Sequence, residues 1–129
     1  MTFIQRYRTS FTTASSAATV YLPDSTTGGV INGIVDTLLY YLSTAPPTTT
    51  ANFTITVENT SQSIFNRTAA ANEVSFEVCP VRQSHTVAGT TIAIATAGIE
   101  GVSVANSRLV VSITTGGDDK TGIIEVIVR

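Results

Sequence analysis

The sequence predicts an all-β fold, a single antiparallel β-sandwich domain, jelly-roll-like, of roughly eight short strands over residues 1–129. Thr, Val and Ile number 23, 14 and 12, so 49 of 129 residues are β-branched. Such side chains lose rotamer freedom in helices and pack well on a pleated sheet. Short alternating segments recur about every 8–12 residues, the spacing of an antiparallel sandwich or barrel. The length allows one domain with one substantial core.

The first two strands follow from alternation and turn residues. Residues 3–11 alternate at period two and predict a strand with an aromatic face made by Phe3, Tyr7 and Phe11. Small residues then predict a turn, and residues 18–22 predict a second strand that ends before Pro23.

The apolar stretch at residues 30–42 fits either a strand or a helix. Six of its apolar residues would also line one helix face: Val30, Ile31, Ile34, Val35, Leu38 and Leu39. We favour a strand, because Gly28, Gly29 and Gly33 weaken a helix. The following prolines, Pro46 and Pro47, predict an exposed loop over residues 44–50.

The middle of the chain predicts further short strands. Residues 52–57 alternate with Phe53, Ile55 and Val57 facing inward. A short strand is expected at residues 64–65, and another at 75–81, where Pro80 indicates an edge position or a bulge. Residues 82–90 are predicted to form a polar loop, residues 91–96 are a further candidate strand, and residues 102–104 lead into the C-terminal segment.

The C-terminal segment predicts a β-hairpin. Leu109, Val111 and Ile113 share one face of a strand at residues 108–113, and Ile124, Val126 and Val128 share one face of a strand at residues 123–129. Turn residues separate the two strands: Gly116, Gly117, Asp118 and Gly122. We expect the last strand to complete a sheet.

Charge is scarce and restricts the expected partners. The chain has 7 basic and 9 acidic residues and a formal net charge of −2. With so few basic residues, the chain has neither the basic surface typical of nucleic-acid binding nor a polybasic patch that would bind a membrane. No apolar run reaches the roughly 18 residues of a membrane span, and no signal peptide is evident, so synthesis in the cytoplasm is expected. A low-charge surface suggests a protein that lies against another protein.

Catalytic and metal-binding patterns are not evident, and we expect no enzyme activity, cofactor or metal. Cys79 and His85 are the single cysteine and histidine, too few for a zinc site. As a nucleophilic pair they lack an orienting third group. Two adjacent carboxylates, Asp118 and Asp119, raise the alternative of a calcium site, but we interpret them as ordinary turn residues.

Two polar or aromatic groups are candidate contact sites. Arg82, Gln83, Ser84 and His85 follow a predicted strand and suit an inter-subunit contact, although a solvated loop explains them equally well. Tyr40 and Tyr41, with the aromatic residues of the first strand, fit a ligand platform. Core packing explains these rings better, because aromatic residues dominate core burial.

Several segments together resemble a family of small virion proteins of tailed bacteriophages and prophages. The resemblance rests on residues 3–7, 18–21, 52–56, 82–86, 105–108 and 120–122 and the hydrophobic strand that follows. It implies a capsid decoration or cement protein, a β-sandwich bound to the major capsid protein outside an icosahedral shell. It also implies a homotrimer and a place on the capsid surface of the virion.

Three functions are therefore weighed from the sequence. The first is a structural virion protein that acts through protein–protein contacts. The alternative is a carbohydrate- or receptor-binding β-sandwich module of a phage tail or fibre. The absence of Trp counts against that alternative, since such modules use exposed aromatic platforms. An enzyme is the third, and the sequence offers it no nucleophile paired with a base.

Overall fold

The described part of the chain folds entirely into β-strands, turns and loops. A computed structural model describes residues 4–24, 29–67, 76–78, 81–83 and 99–129. Its strands are β1 (Gln5–Thr12), β2 (Ala18–Leu22), β3 (Ile31–Leu42), β4 (Asn52–Val57), β5 (Ser63–Arg67), β6 (Phe76–Val78), β7 (Val81–Gln83), β8 (Ile99–Ser107), β9 (Leu109–Thr114) and β10 (Thr121–Val128). Across these residues, no helix has the length and apolar character needed to cross a membrane.

The strands form two antiparallel sheets. The six-stranded sheet has the order β1-β10-β3-β8-β7, with β6 paired to β3, and the four-stranded sheet has the order β2-β9-β4-β5. The long strand β3 pairs with β10 along one side and with β6 and β8 along the other. The predicted all-β antiparallel sandwich is confirmed.

The pairing pattern is that of a jelly roll. The pairs β1–β10, β2–β9, β3–β8 and β4–β5 are nested, as in a single antiparallel ribbon folded at its middle. Rolling this ribbon brings β10 beside β3 and β9 beside β4, which closes the two sheets. Eight strands in two packed sheets define the jelly-roll architecture, and β6 and β7 are additions to it.

Most predicted strands lie where alternation placed them. The bounds of β2 and β4 match the prediction, and the ambiguous stretch at residues 30–42 is strand β3. In that strand Leu38 is opposite Val126 and Tyr40 is opposite Ile124. The sheet provides β3 with backbone partners on both sides, so tertiary pairing decides between strand and helix where periodicity could not.

The predicted C-terminal hairpin is wrong. β9 pairs with β2 and β4, whereas β10 pairs with β1 and β3 in the opposite sheet. The connection between them crosses from sheet to sheet and is held at the β1–β2 turn, where the Thr13 amide donates to the Lys120 carbonyl (2.8 Å). Alternation was correct about burial, since all six inward residues are buried: Leu109, Val111, Ile113, Ile124, Val126 and Val128. Period two fixes which face is buried but not which strand is the neighbour.

An aromatic cluster joins the two sheets at the centre of the core. Phe11 and Tyr40 of the six-stranded sheet stack with ring centroids 6.5 Å apart, and Phe53 of the four-stranded sheet lies 6.2 Å from Phe11 and 5.3 Å from Tyr40. Gly122, predicted as a turn residue, instead lies in β10 directly under these rings. A Cβ there would lie 2.5 Å from Cζ of Phe11 and 2.9 Å from Cε2 of Tyr40.

We therefore expect Gly122→Ala to lower the free energy of unfolding by about 1–3 kcal/mol, the usual cost of overpacking a core. Denaturant unfolding measures this value. Thr12→Ala is the matched control, because Thr12 is exposed on the adjacent strand. The double variant Phe11→Leu with Gly122→Ala should lose less free energy of unfolding than the two single variants lose in sum. The smaller side chain at position 11 makes room for the added methyl group. Wild-type stability in Gly122→Ala would contradict this account of the core.

Candidate functional site

The predicted contact site is only partly described. Arg82 and Gln83 lie in strand β7, where Arg82 is opposite Glu100 and Gln83 is opposite Ile99. The prediction of a polar loop is therefore wrong for these two residues, because backbone pairing with β8 holds them in a strand. Ser84 and His85 lie outside the described residues, as does Cys79. β7 is the last strand in the order of its sheet, and the role of the four residues as an interface stays a prediction.

The two adjacent tyrosines lie on opposite faces of β3. Tyr40 is buried in the core as predicted, whereas the prediction of core packing is wrong for Tyr41, which is 36% exposed on the other face of the strand. The guanidinium carbon of Arg8 lies 5.4 Å from the centroid of the Tyr41 ring. This is a cation–π contact between side chains of β1 and β3. Tyr7 packs partly buried against the core, and Phe3 lies outside the described residues.

The outward side of the six-stranded sheet carries a mixed polar and apolar surface. Because side chains alternate along a strand, residues next to the buried Ile124 and Val126 point outward. The register sets Arg8 opposite Glu125 and Glu125 opposite Leu39 on this side. We call the following residues the outer face: Arg6, Arg8, Leu39, Tyr41, Ile123, Glu125 and Ile127.

Glu125 is a buried carboxylate on the outer face. It is 2% exposed, and the Arg6 guanidinium, 66% exposed, lies with Nε 3.0 Å from its Oε1 atom. The donor geometry falls short of a hydrogen bond, so Oε1 has no hydrogen-bond partner among the residues described here. We read the contact as an ion pair, because the separation is that of paired charges and Arg6 is the cation beside the carboxylate. A paired charge therefore lies in the middle of this surface.

A groove runs along the side of the sandwich where β1 and β2 are the edge strands. One part, about 290 Å³, is lined by Arg8, Thr9, Ser10, Asp24 and Ile123. The other part, about 200 Å³, is lined by Thr9, Ser10, Thr19, Val20, Tyr21 and Asp24. Three residues line both parts, so we treat them as one feature, the edge groove. Sequence reasoning missed it, because its walls come from three separate segments that only the sheet topology brings together.

Arg108 forms the best-defined charged contact among the described residues. Its Nε and Nη2 atoms donate to the two carboxylate oxygens of Glu58 at 2.8 and 2.7 Å, and its guanidinium carbon lies 4.2 Å from the Tyr21 ring centroid. The hydrogen bonds from Arg108 lower the pKa of Glu58, and those same bonds raise the pKa of Arg108. The contact joins β2, the end of β4 and the start of β9, which is a structural role.

The two adjacent carboxylates behave as turn residues, as predicted. Asp118 accepts a hydrogen bond from the Ser16 amide (2.8 Å), and Asp119 has a positive φ of 53°. Short acidic side chains tolerate this left-handed conformation. Within the part of the chain that the structure describes, no three His, Cys, Asp or Glu residues are grouped as metal ligands.

Comparison with known proteins gives no relative. No protein-family model, no curated protein and no solved structure matches the chain. The features that bear on function are therefore the jelly-roll fold, the outer face and the edge groove.

The Glu58–Arg108 pair predicts a specific pH dependence. A carboxyl with a lowered pKa in the folded state stabilises the fold above its unfolded pKa, and that contribution is lost as the pH falls through the folded value. The melting temperature of the wild type should therefore exceed that of Glu58→Gln at neutral pH, and the difference should shrink on acidification below the ordinary value of 4.5. Glu77→Gln, which removes an exposed carboxylate on β6, is the control. If the difference in melting temperature between the wild type and Glu58→Gln stays constant down to strongly acidic pH, the Glu58–Arg108 pair is not its cause.

Proposed function

We propose that the chain is a structural protein of a tailed-bacteriophage virion, which decorates and stabilises the capsid exterior through protein–protein contacts. The outer face is the observation that carries the proposal. It combines an exposed tyrosine, two arginines and half-buried aliphatic side chains around a buried carboxylate. Tyrosine and arginine are enriched in protein interfaces and at their energetic centres.

Fold and charge support the same proposal. Jelly rolls recur in viral capsid proteins, although they also occur in lectins, so the fold supports the function by analogy. With 16 charged residues among 129, copies and partners meet with little electrostatic repulsion. The proposed partners are the major capsid protein and further copies of this chain, and the proposed site of synthesis is the host cytoplasm. Arg82, Gln83, Ser84 and His85 are a second proposed contact.

The proposal predicts that the outer face controls occupancy on particles. Ile127→Lys places a second positive charge beside Arg6, the cross-strand neighbour of this position on the outer face. We expect at least a tenfold loss of bound copies per particle. Quantitative protein gels of purified particles provide the measurement. Thr56→Lys places the same charge on the outward side of the four-stranded sheet and should leave occupancy unchanged. Wild-type occupancy of a normally folded Ile127→Lys variant would refute the role of this face, and absence of the wild type from particles would refute the function.

We also propose that the chain forms a homotrimer on the capsid. Closed cyclic symmetry is the usual solution for identical copies, and three-fold symmetry matches local axes of an icosahedral lattice. A specific contact between copies should bury more than about 1,000 Å². A particle reconstruction tests this directly: three copies in contact around an axis are expected. Isolated single copies without contact between neighbours would overturn the trimer.

The edge groove favours a second candidate function, a carbohydrate- or receptor-binding module of a phage tail or fibre. Hydroxyl, carboxylate and guanidinium groups line the groove beside two aliphatic side chains and one aromatic side chain. Ligand sites combine apolar walls with a few polar groups in this way.

A further inference from the structure

We infer that the edge groove binds an acidic saccharide, with the sugar carboxylate on Arg8 and sugar hydroxyls on Ser10 and Asp24. The inference rests on the second candidate function and not on capsid decoration. It names a site and a class of ligand for that function.

Arg8 is the anion-binding group of the proposed site. Arg6, Arg108 and Arg129 each form an ion pair with a carboxylate: Glu125, Glu58 and Asp36. Among the described residues, the contact of Arg8 is instead the Tyr41 ring, which leaves its N–H donors without an acceptor there. Arg8 lines the groove, and a guanidinium binds a carboxylate through two parallel N–H hydrogen bonds.

The rest of the groove suits a polyhydroxylated ligand. Ser10 and Thr19 are exposed hydroxyl residues, and Asp24 lines both parts of the groove. The Asp24 carboxylate accepts hydrogen bonds from hydroxyls, so a ligand with several hydroxyls beside its carboxylate uses both ionised groups of the groove. The half-buried Ile123 and Tyr21 offer apolar surface to the C–H groups of a sugar ring.

The size of the groove limits the ligand. Its two parts have volumes of about 290 and 200 Å³. Pockets for drug-sized ligands begin near 300 Å³, so the groove accommodates a ligand of one or two sugar rings. The groove is open along the edge of the sandwich, which allows the remainder of a longer polysaccharide to extend into solvent.

The test measures binding of a galacturonic acid disaccharide to the purified full chain by NMR titration, with lactose as the neutral probe. We expect saturable binding of the acidic disaccharide and at least tenfold weaker binding of lactose. Arg8→Gln should weaken binding of the acidic probe at least tenfold. Arg129→Gln, which changes another exposed arginine, should bind as the wild type does.

Three results would overturn the inference: equal binding of the two disaccharides, undiminished binding by a folded Arg8→Gln variant, or tighter binding of a triglutamate peptide than of the acidic disaccharide. Particle occupancy of the wild type and of Arg8→Gln is measured in parallel. If the wild-type protein occupies particles but binds no saccharide, the proposed saccharide site is refuted and the proposed capsid decoration stands. If the protein binds the saccharide but is absent from particles, the saccharide site is supported and capsid decoration is refuted.

Discussion

The contact on which the sandwich depends is the packing of Phe11 and Tyr40 over the bare backbone of Gly122. This residue lies in the strand between the two that carry these rings, and the missing side chain lets both rings approach its backbone closely. Phe53 reaches the same point from the opposite sheet. One glycine therefore makes room for the rings at the place where the two sheets meet. Protein cores are close-packed, so a small group here cannot be exchanged for a larger one without moving the rings.

The same packing determines the surface. Side chains alternate along each strand, so a shift of one residue would exchange the inward and outward sets. The core position of Tyr40 thus places Tyr41 outside, and the burial of Ile124 and Val126 places Glu125 on the outer face. Both the proposed capsid contact and the proposed saccharide site use side chains that owe their outward direction to this register. The edge groove further requires β1 and β2 to be the edge strands of their sheets on one side of the sandwich.

Alternation in the sequence predicted the positions and inward faces of strands well, but it predicted poorly which strands pair with each other. It identified β2 and β4 with their bounds, and it identified the inward residues of β9 and β10. It paired β9 with β10, because a polar, glycine-containing connection looks alike whether it turns within a sheet or crosses between sheets. The edge groove could not be predicted, since Arg8, Asp24 and Ile123 are distant in sequence. Gly122 was misread for a similar reason: only the two rings above it distinguish it from a turn glycine.

The nested ribbon has a consequence for biosynthesis. β1 is made first of the ten strands, yet its partner in the sheet is β10, which leaves the ribosome last. The outermost pairs of the ribbon therefore cannot form until β9 and β10 have been made, and the inner pair of β4 with β5 is the earliest available. Topologies dominated by distant pairings fold slowly, because loop closure precedes the stabilising contacts. A nascent chain therefore holds β1, with the core residue Phe11, without its sheet partner until β10 has been made.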